Sequence, residues 1–195
     1  VIMTGTGSGK TESFLLPILA KLANEAANRP LSFNTPAVRA LLLYPMNALV
    51  NDQLGRLRGL FDDPRVRELF TNWAGRVPRF ARYTSRTPYA GVRDKKKDGR
   101  RLKSLRDFYV DIEKACEGDD IAERDAARRV KQELVGRGKW PAKPDLDAWY
   151  GDGEWIDRKT QDYGRAITLP DDVELITRHE VQKAPADLLV TNYSM

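Results

Sequence analysis

The stretch MTGTGSGKTESF, Met3–Phe14, places three glycines, a lysine and a threonine close together. A loop that binds a polyphosphate must bring several backbone N–H groups against it, and glycine is needed because a side chain would block that approach. Apolar residues before the loop predict a strand, Val1–Thr4. Apolar residues at helical spacing after it predict a helix from Lys10 to about Asn28, kinked at Pro17. A strand, a glycine loop and a helix in this order predict a site for a nucleoside triphosphate.

The predicted nucleotide-binding residues form one continuous run: Thr4, Gly5, Thr6, Gly7, Ser8, Gly9, Lys10 and Thr11. Lys10 is expected to reach the β and γ phosphates of ATP, and the Thr11 hydroxyl is expected to ligate Mg²⁺. These two residues are therefore the candidate catalytic residues, and ATP and Mg²⁺ are the predicted cofactors. The strict motif has glycine at the position of Thr4, but Gly5 lies beside it and the GxGKT core is intact.

Strands and helices alternate along the first part of the chain. VRALLLYP, Val38–Pro45, is a continuous apolar run typical of a parallel strand covered on both faces. A polar link, Asn28–Pro36, precedes it, and the leucine spacing predicts a helix over Asn47–Phe61. RFARYTS, Arg79–Ser85, is a third candidate strand, and a fourth returns in DLLVTNYSM, Asp187–Met195. This order predicts an α/β fold with a parallel sheet flanked by helices.

Composition restricts the class of protein. The chain has 195 residues, a net charge of +5 and a hydrophobic fraction of 41%, which indicates one globular domain that can accept an anionic partner. No apolar run reaches the length of a membrane span, so an integral membrane protein is excluded at this stage. The single cysteine, Cys116, and the single histidine, His179, are interpreted as structural residues. A reducing, cytoplasmic location is expected.

Four blocks of this sequence resemble motifs of superfamily 2 helicases. TGTGSGKTESFLLPIL resembles motif I of that superfamily. YPMNALVNDQ resembles a block written PTKALAQDQ and matches it at Pro45, Ala48, Leu49, Asp52 and Gln53. YTSRTP resembles YxGDTP, with Ser85 for glycine and Arg86 for aspartate, and LLVTNYSM resembles ILLTNPDM at Thr191, Asn192 and Met195. The blocks occur in the family's order over residues 1–88 and 178–195. They resemble the N-terminal RecA-like ATPase domain of DEAD/DEAH-type helicases, in the YprA/Lhr-like branch.

The resemblance implies a P-loop NTPase of the RecA-like fold that works as an ATP-dependent DNA helicase or translocase, with DNA preferred to RNA. In the family the later motifs lie at the carboxyl ends of strands and hold the sugar-phosphate backbone. The nucleic-acid contacts carried over are Pro45, Asn47, Thr84, Ser85, Arg86, Thr191 and Asn192. Asn47 stands where the family has lysine or arginine, so this contact is expected to be weaker, and Arg86 is expected to restore charge nearby.

The acidic pair that completes this chemistry is expected outside these residues. The family places an Asp-Glu pair, which holds Mg²⁺ and activates water, downstream of the TNYSM block. The chain is therefore interpreted as a piece truncated before that motif and before the second lobe. Alone, it is expected to bind nucleotide poorly and to hydrolyse it negligibly.

Residues 89–173 are predicted to be an insertion, because the relatives link YxGDTP to the TN block by a short helical segment. The predicted domain division is 1–88, 89–173 and 174–195, with a helix over about 119–135. Segment 93–106 holds eight basic and two acidic residues, a local charge of +6, and 107–125 holds eight acidic and two basic, a local charge of −6. Either these are two solvated helix faces that pair, or the first is a nucleic-acid-facing patch.

The aromatic residues of the predicted insertion leave two interpretations open. Trp140, Trp149, Tyr150 and Trp155 either stack on nucleic-acid bases or form a small core of the insertion. A protein partner that docks on residues 89–173 is a further hypothesis, and the oligomeric state stays open.

Two other functions fit the glycine loop. A P-loop kinase would consume ATP without stimulation by nucleic acid. A non-catalytic nucleic-acid-binding P-loop module would keep its function when Lys10 is replaced.

Overall fold

The computed structural model of the chain describes residues 10–87, 107–143, 146 and 171–193. The helices are α1 (Lys10–Asn28), α2 (Pro30–Asn34), α3 (Asn47–Asp62), α4 (Pro64–Ala74), α5 (residues 107–115), α6 (Ile121–Gly136) and α7 (Arg178–Lys183). The strands are β1 (Ala40–Tyr44), β2 (Phe80–Arg82), β3 (Glu174–Leu175) and β4 (Leu188–Asn192). The predicted strand Val1–Thr4 and the basic segment 93–106 lie outside the described residues.

The strands form one parallel sheet in the order β1-β4-β2-β3. β4 is the last strand in the chain, yet it lies between β1 and β2 and pairs with both. Parallel neighbours require long crossover connections, which here contain the helices. The predicted α/β class, a RecA-like parallel sheet flanked by helices, is confirmed.

Helices α1 to α4 pack against the sheet in one apolar core. Aromatic side chains fill its centre: the Phe61 ring lies 5.9 Å from the Phe80 ring of β2, and the Phe33 ring lies 5.8 Å from that of Phe70. Phe33, Phe61 and Phe80 are completely buried. Each such side chain contributes about 1.5–3 kcal/mol by leaving water, so this core fixes how the helices lie on the sheet.

The other face of the sheet is covered unevenly. α7 packs over β2 and β3 through Val181. The prediction that Val38–Pro45 is covered on both faces is wrong for the described residues, since Leu41 is 58% exposed and Leu43 is 46% exposed. The physical reason is that no described helix packs over β1 on the face to which these two leucines point.

Two short-range features differ from the sequence prediction. The polar link predicted over Asn28–Pro36 contains α2, which forms because its Phe33 is buried in the core. α4 is absent from the prediction, although Asp63 caps its first turn by accepting a hydrogen bond from the Arg65 N–H and Gly75 ends it at a φ of 74°. α1, α3 and α6 lie close to their predicted bounds, and α1 is helical on both sides of Pro17.

A buried carboxylate ties the amino ends of the strands together. Asp187, just before β4, is 2% exposed. It accepts hydrogen bonds from Arg39 at 2.7 Å, from Arg76 at 2.7 Å and from the Arg79 backbone N–H at 2.7 Å. Arg39 precedes β1, Arg76 follows α4 and Arg79 precedes β2. Because Asp187 itself precedes β4, this one side chain sets the alignment of β1, β2 and β4.

Residues 137–143 dock the predicted insertion onto the sheet. The Arg58 guanidinium of α3 donates to both Glu174 oxygens, at 2.6 and 2.8 Å, and also to the Gly138 carbonyl. The Ala142 N–H donates to Glu174 at 3.1 Å. Lys143 is completely buried and pairs with Asp172 at 2.8 Å and with Glu180 of α7 at 3.2 Å. This segment is therefore part of the packed structure around β3.

The single cysteine and the single histidine, interpreted from the sequence as structural residues, are both buried. Cys116 and His179 are each 8% exposed. Among the described residues no group of histidine, cysteine and carboxylate side chains has the arrangement of a metal site. None of the described helices combines the length and apolarity needed to cross a bilayer.

Candidate nucleotide and nucleic-acid interface

The glycine loop itself, Thr4–Gly9, lies outside the described residues, but the helix that follows it is described. α1 begins at Lys10, the lysine of the motif, and places Thr11 in its first turn. The first N–H groups of a helix have no partner within the helix and its amino end carries partial positive charge. A phosphate held by the preceding loop would meet this end of the helix, so the arrangement fits ATP with Mg²⁺.

The predicted nucleic-acid residues gather at one edge of the sheet. Pro45 and Asn47 follow β1, Asn192 ends β4, and the turn 83–87 follows β2. These strands are neighbours: Tyr44 lies opposite Asn192, and Arg82 lies opposite Val190. The structure therefore brings three separate sequence blocks together along one rim, which is the rim where open parallel sheets bind ligands.

The turn after β2 is held by its own threonines. The Thr87 hydroxyl donates to the Arg82 carbonyl at 3.0 Å and accepts from the Thr84 N–H at 3.0 Å. The Arg86 N–H donates to the Thr84 hydroxyl at 3.3 Å. Thr84 and Thr87 are completely buried, whereas Ser85 and Arg86 are exposed. The threonines thus shape the turn, and the serine and arginine side chains are left exposed on it.

Two side chains join this turn to its neighbours. The Thr191 hydroxyl of β4 donates to the Tyr83 carbonyl at 2.5 Å. The Arg178 guanidinium of α7 donates to the Thr84 carbonyl at 2.8 Å and lies 5.0 Å from the centre of the Tyr83 ring. Because α7, β2 and β4 all contribute, the turn has one defined position on the rim.

Several buried amide atoms on this side of the sheet have no hydrogen-bond partner among the described residues. They are Asn47 Oδ1, Gln53 Oε1 and both side-chain polar atoms of Asn192. Buried polar groups in proteins are almost always hydrogen-bonded, so each exception requires an explanation. All three residues belong to the sequence blocks that resemble helicase motifs. A ligand or a neighbouring segment that reaches this edge would find these groups unsatisfied.

Sequence reasoning missed two arginines next to the rim. Arg82 ends β2, and burial lowers its pKa, with the guanidinium groups of Arg58 and Arg86 acting in the same direction and Glu174 opposing them. Arg178 starts α7 and supports the turn after β2. A basic residue directly before YTSRTP was the available signal for Arg82. Arg178 could not be found in this way because its partner is 94 residues away in the chain.

Comparison with known families agrees with this geometry. Residues 1–84 match the DEAD/DEAH box helicase family. The match covers the glycine loop, α1, β1, α3 and the start of the turn after β2. The motifs and the family model therefore both relate residues 1–84 to DEAD/DEAH box helicases, and the parallel sheet is consistent with that similarity.

One curated relative matches the whole chain. The Druantia protein DruE of Escherichia coli (strain UMEA 4076-1) is 45% identical over 209 aligned residues, which cover 100% of this chain and 11% of that protein. The chain thus spans about a ninth of the length of this relative. The alignment runs through residues 89–173, so the segment predicted as an insertion has a counterpart in DruE. No solved structure gives a significant match.

Proposed function

We infer that this chain is the ATP-binding part of an ATP-dependent DNA helicase or translocase of the YprA/Lhr-like branch. The observation that carries the proposal is the convergence of three sequence blocks on the carboxyl ends of β1, β4 and β2, beside a helix that starts at the motif lysine. A P-loop kinase would not need the blocks that contain Pro45 and Asn192.

In this proposal the two sites have separate tasks. Gly5–Thr11 holds ATP, Lys10 neutralises charge on the β and γ phosphates, and Thr11 holds Mg²⁺, which supplies charge neutralisation at the phosphates when bound. Ser85, Arg86 and the amide side chains of Asn47 and Asn192 contact the sugar-phosphate backbone. Such contacts position a strand without reading its bases.

The domain division into 1–88, 89–173 and 174–195, a protein partner for the insertion and a cytoplasmic location belong to the same proposal. The first is supported by the change in composition after Pro88. Docking of residues 137–143 against β3 means that the middle segment is anchored at its carboxyl side.

The test replaces Lys10 by alanine in the intact protein, with Lys21→Ala as the control. Lys21 is exposed on the same helix. ATP hydrolysis is measured alone, with single-stranded DNA and with single-stranded RNA of equal length. We expect DNA to stimulate hydrolysis by the wild type and by Lys21→Ala, and Lys10→Ala to lose about 10²-fold or more of the rate, because a charge at the transferring phosphate is lost.

The two alternative functions, a P-loop kinase and a non-catalytic nucleic-acid-binding module, predict different results. Hydrolysis by the wild type that nucleic acid does not change would favour the kinase. Full function of Lys10→Ala would favour the non-catalytic binding module. Stronger stimulation by RNA would keep the helicase and contradict the preference for DNA.

A further inference from the structure

A cavity of about 470 Å³ lies where the predicted insertion meets the rim. Its walls come from α3, from the carboxyl ends of β2 and β3, and from residues 109 and 137–141. Arg82 and Glu174 lie on the sheet side, and Tyr109 and Lys139 lie on the insertion side. The predicted insertion contributes five of the 13 residues that line this cavity: Tyr109, Arg137, Gly138, Lys139 and Pro141.

Arg82 is a partly buried cation without an acidic partner among the described residues. Its guanidinium donates to the neutral Asn51 side chain at 3.0 Å. The closest candidate acid, Glu174, is already held by both nitrogens of Arg58 and by the Ala142 N–H. A charge removed from water is costly unless it is paired, so Arg82 would gain from an anion in the cavity.

The opposite wall carries a second cation, Lys139, whose backbone is held in place. The Tyr109 hydroxyl donates to the Lys139 carbonyl at 2.8 Å, and the Tyr109 ring packs edge-on to Trp140 at 5.4 Å. These contacts hold the backbone of Lys139, whose side chain is exposed and has no described partner. The other charges of the wall are already paired, since Asp52 accepts from Arg56 at 3.3 Å and Arg137 pairs with Glu133.

We propose that this cavity binds a backbone phosphate of the nucleic-acid strand that crosses the rim, held between Arg82 and Lys139. The inference rests on the proposed function, because it takes its ligand from the strand at the rim. Arg82 directly precedes the turn that exposes Ser85 and Arg86, so a strand on that turn arrives at the mouth of the cavity. The insertion then lengthens the bound stretch of strand beyond the helicase motifs.

The experiment compares two double variants of the intact protein that lose the same charges. Arg82→Gln/Lys139→Gln changes the cavity, and Arg129→Gln/Lys21→Gln changes exposed positions on α6 and α1. Binding of fluorescent oligo-dT of increasing length is measured between 50 and 200 mM salt, a range over which phosphate contacts weaken measurably (about 0.7 in the slope of log K against log salt per contact on a single strand). We expect the cavity variant alone to lose about tenfold in affinity for long oligonucleotides and to reduce the salt slope by about one contact.

Oligonucleotide length separates this contact from the rim. Short oligonucleotides that only reach the rim should bind the cavity variant and the control equally well, and the difference should appear on lengthening. Lys139→Gln alone, at an exposed position, should show a smaller loss in the same direction with an unchanged melting temperature. Equal binding by both double variants at every length would overturn the proposal.

Three further outcomes are decisive. If wild-type ATP hydrolysis is stimulated by DNA but the two double variants bind alike, the cavity is not a strand site although the proposed function holds. If the wild type shows no response to nucleic acid, the proposed function itself fails. Loss of AMP binding by the cavity variant in a Lys10→Ala background, with oligonucleotide binding intact, would assign the phosphate to a free nucleotide and contradict the strand.

Discussion

Thr87 is a buried residue whose hydroxyl completes two backbone hydrogen bonds at once. It donates to the Arg82 carbonyl and accepts from the Thr84 N–H, both at 3.0 Å, and both threonines are completely buried. Thr87 lies in the YTSRTP block, from which the sequence prediction took Thr84, Ser85 and Arg86 as nucleic-acid contacts but not Thr87. The structure gives it a different task, which is to hold the backbone that presents Ser85 and Arg86.

We therefore predict that Thr87→Val weakens nucleic-acid binding without removing any atom that faces the ligand. Valine has the same shape but leaves a buried N–H and a buried carbonyl unsatisfied, at a cost of about 1–3 kcal/mol each. We expect amide hydrogen exchange in the turn to be faster by about tenfold or more. We also expect the intact protein to bind single-stranded DNA more weakly. Thr87→Ser keeps the hydroxyl and should behave like the wild type. Unchanged exchange in Thr87→Val would contradict this account.

At the scale of elements, two glycines decide how the insertion meets α3. Gly138 has a φ of 61°, and a Cβ placed there would lie 2.2 Å from the Gly55 Cα. Both the backbone conformation and the contact therefore require glycine. This close approach puts the Gly138 carbonyl within reach of Arg58, which also holds Glu174 of β3.

Gly138→Ala is accordingly expected to release residues 137–143 from α3. The measurement is limited proteolysis of the intact protein, in which the rate of cleavage within residues 137–143 is followed. We expect this cleavage rate to increase clearly, because the alanine Cβ and Gly55 cannot occupy the same space. Gly136→Ala, two residues earlier, is the matched control. A Cβ at Gly136 meets nothing within 4 Å, and alanine favours the helix, so this variant should be as resistant as the wild type or more so. Equal cleavage of the two variants would show that the close approach does not matter.

Helices and strands differ in how far the sequence predicts them. α1 and α3 could be predicted because their apolar period and bounds are local properties of the chain. α4 carried local signals too, in Asp63, Pro64 and Gly75, which the prediction did not use. β3, by contrast, has two residues and exists only because it pairs with β2, far away in the chain.

The candidate site likewise has one part that local sequence indicates and one part that depends on distant contacts. The glycine loop and the rim blocks could be proposed from the sequence because their residue types and order are typical of this chemistry. The cavity beside Arg82 could not, since it depends on Tyr109 and Lys139 packing against α3. The exposure of Leu41 and Leu43 was mispredicted because an apolar run does not say which face of the sheet another element covers.

For the molecule as a whole, the question is whether the predicted insertion can be separated from the sheet. Its composition and the loss of strand–helix alternation favour an insertion that can be removed without affecting the sheet. The contacts favour a different conclusion: Lys143, completely buried, pairs with Asp172 and Glu180, and the Ala142 N–H donates to Glu174. Glu180 also caps α7, whose Arg178 supports the turn on the rim. The carboxyl side of the insertion is thus connected to the interface through α7.

Two deletions in the intact protein distinguish these views. The first joins residues 113 and 131, whose side chains form an ion pair at 3.5 Å, by a Gly-Ser linker, and removes residues 114–130 with most of α6. The second removes all of 89–173. We expect the first variant to keep DNA-stimulated ATP hydrolysis. The second should lose about 3–5 kcal/mol of local stability, because Glu180 stays buried without the Lys143 ammonium, and should expose the α7 region to proteolysis and hydrogen exchange. If the variant without residues 89–173 folds and hydrolyses ATP as the wild type does, the insertion can be removed without affecting the sheet. The contacts through α7 would then not be needed to hold the turn on the rim.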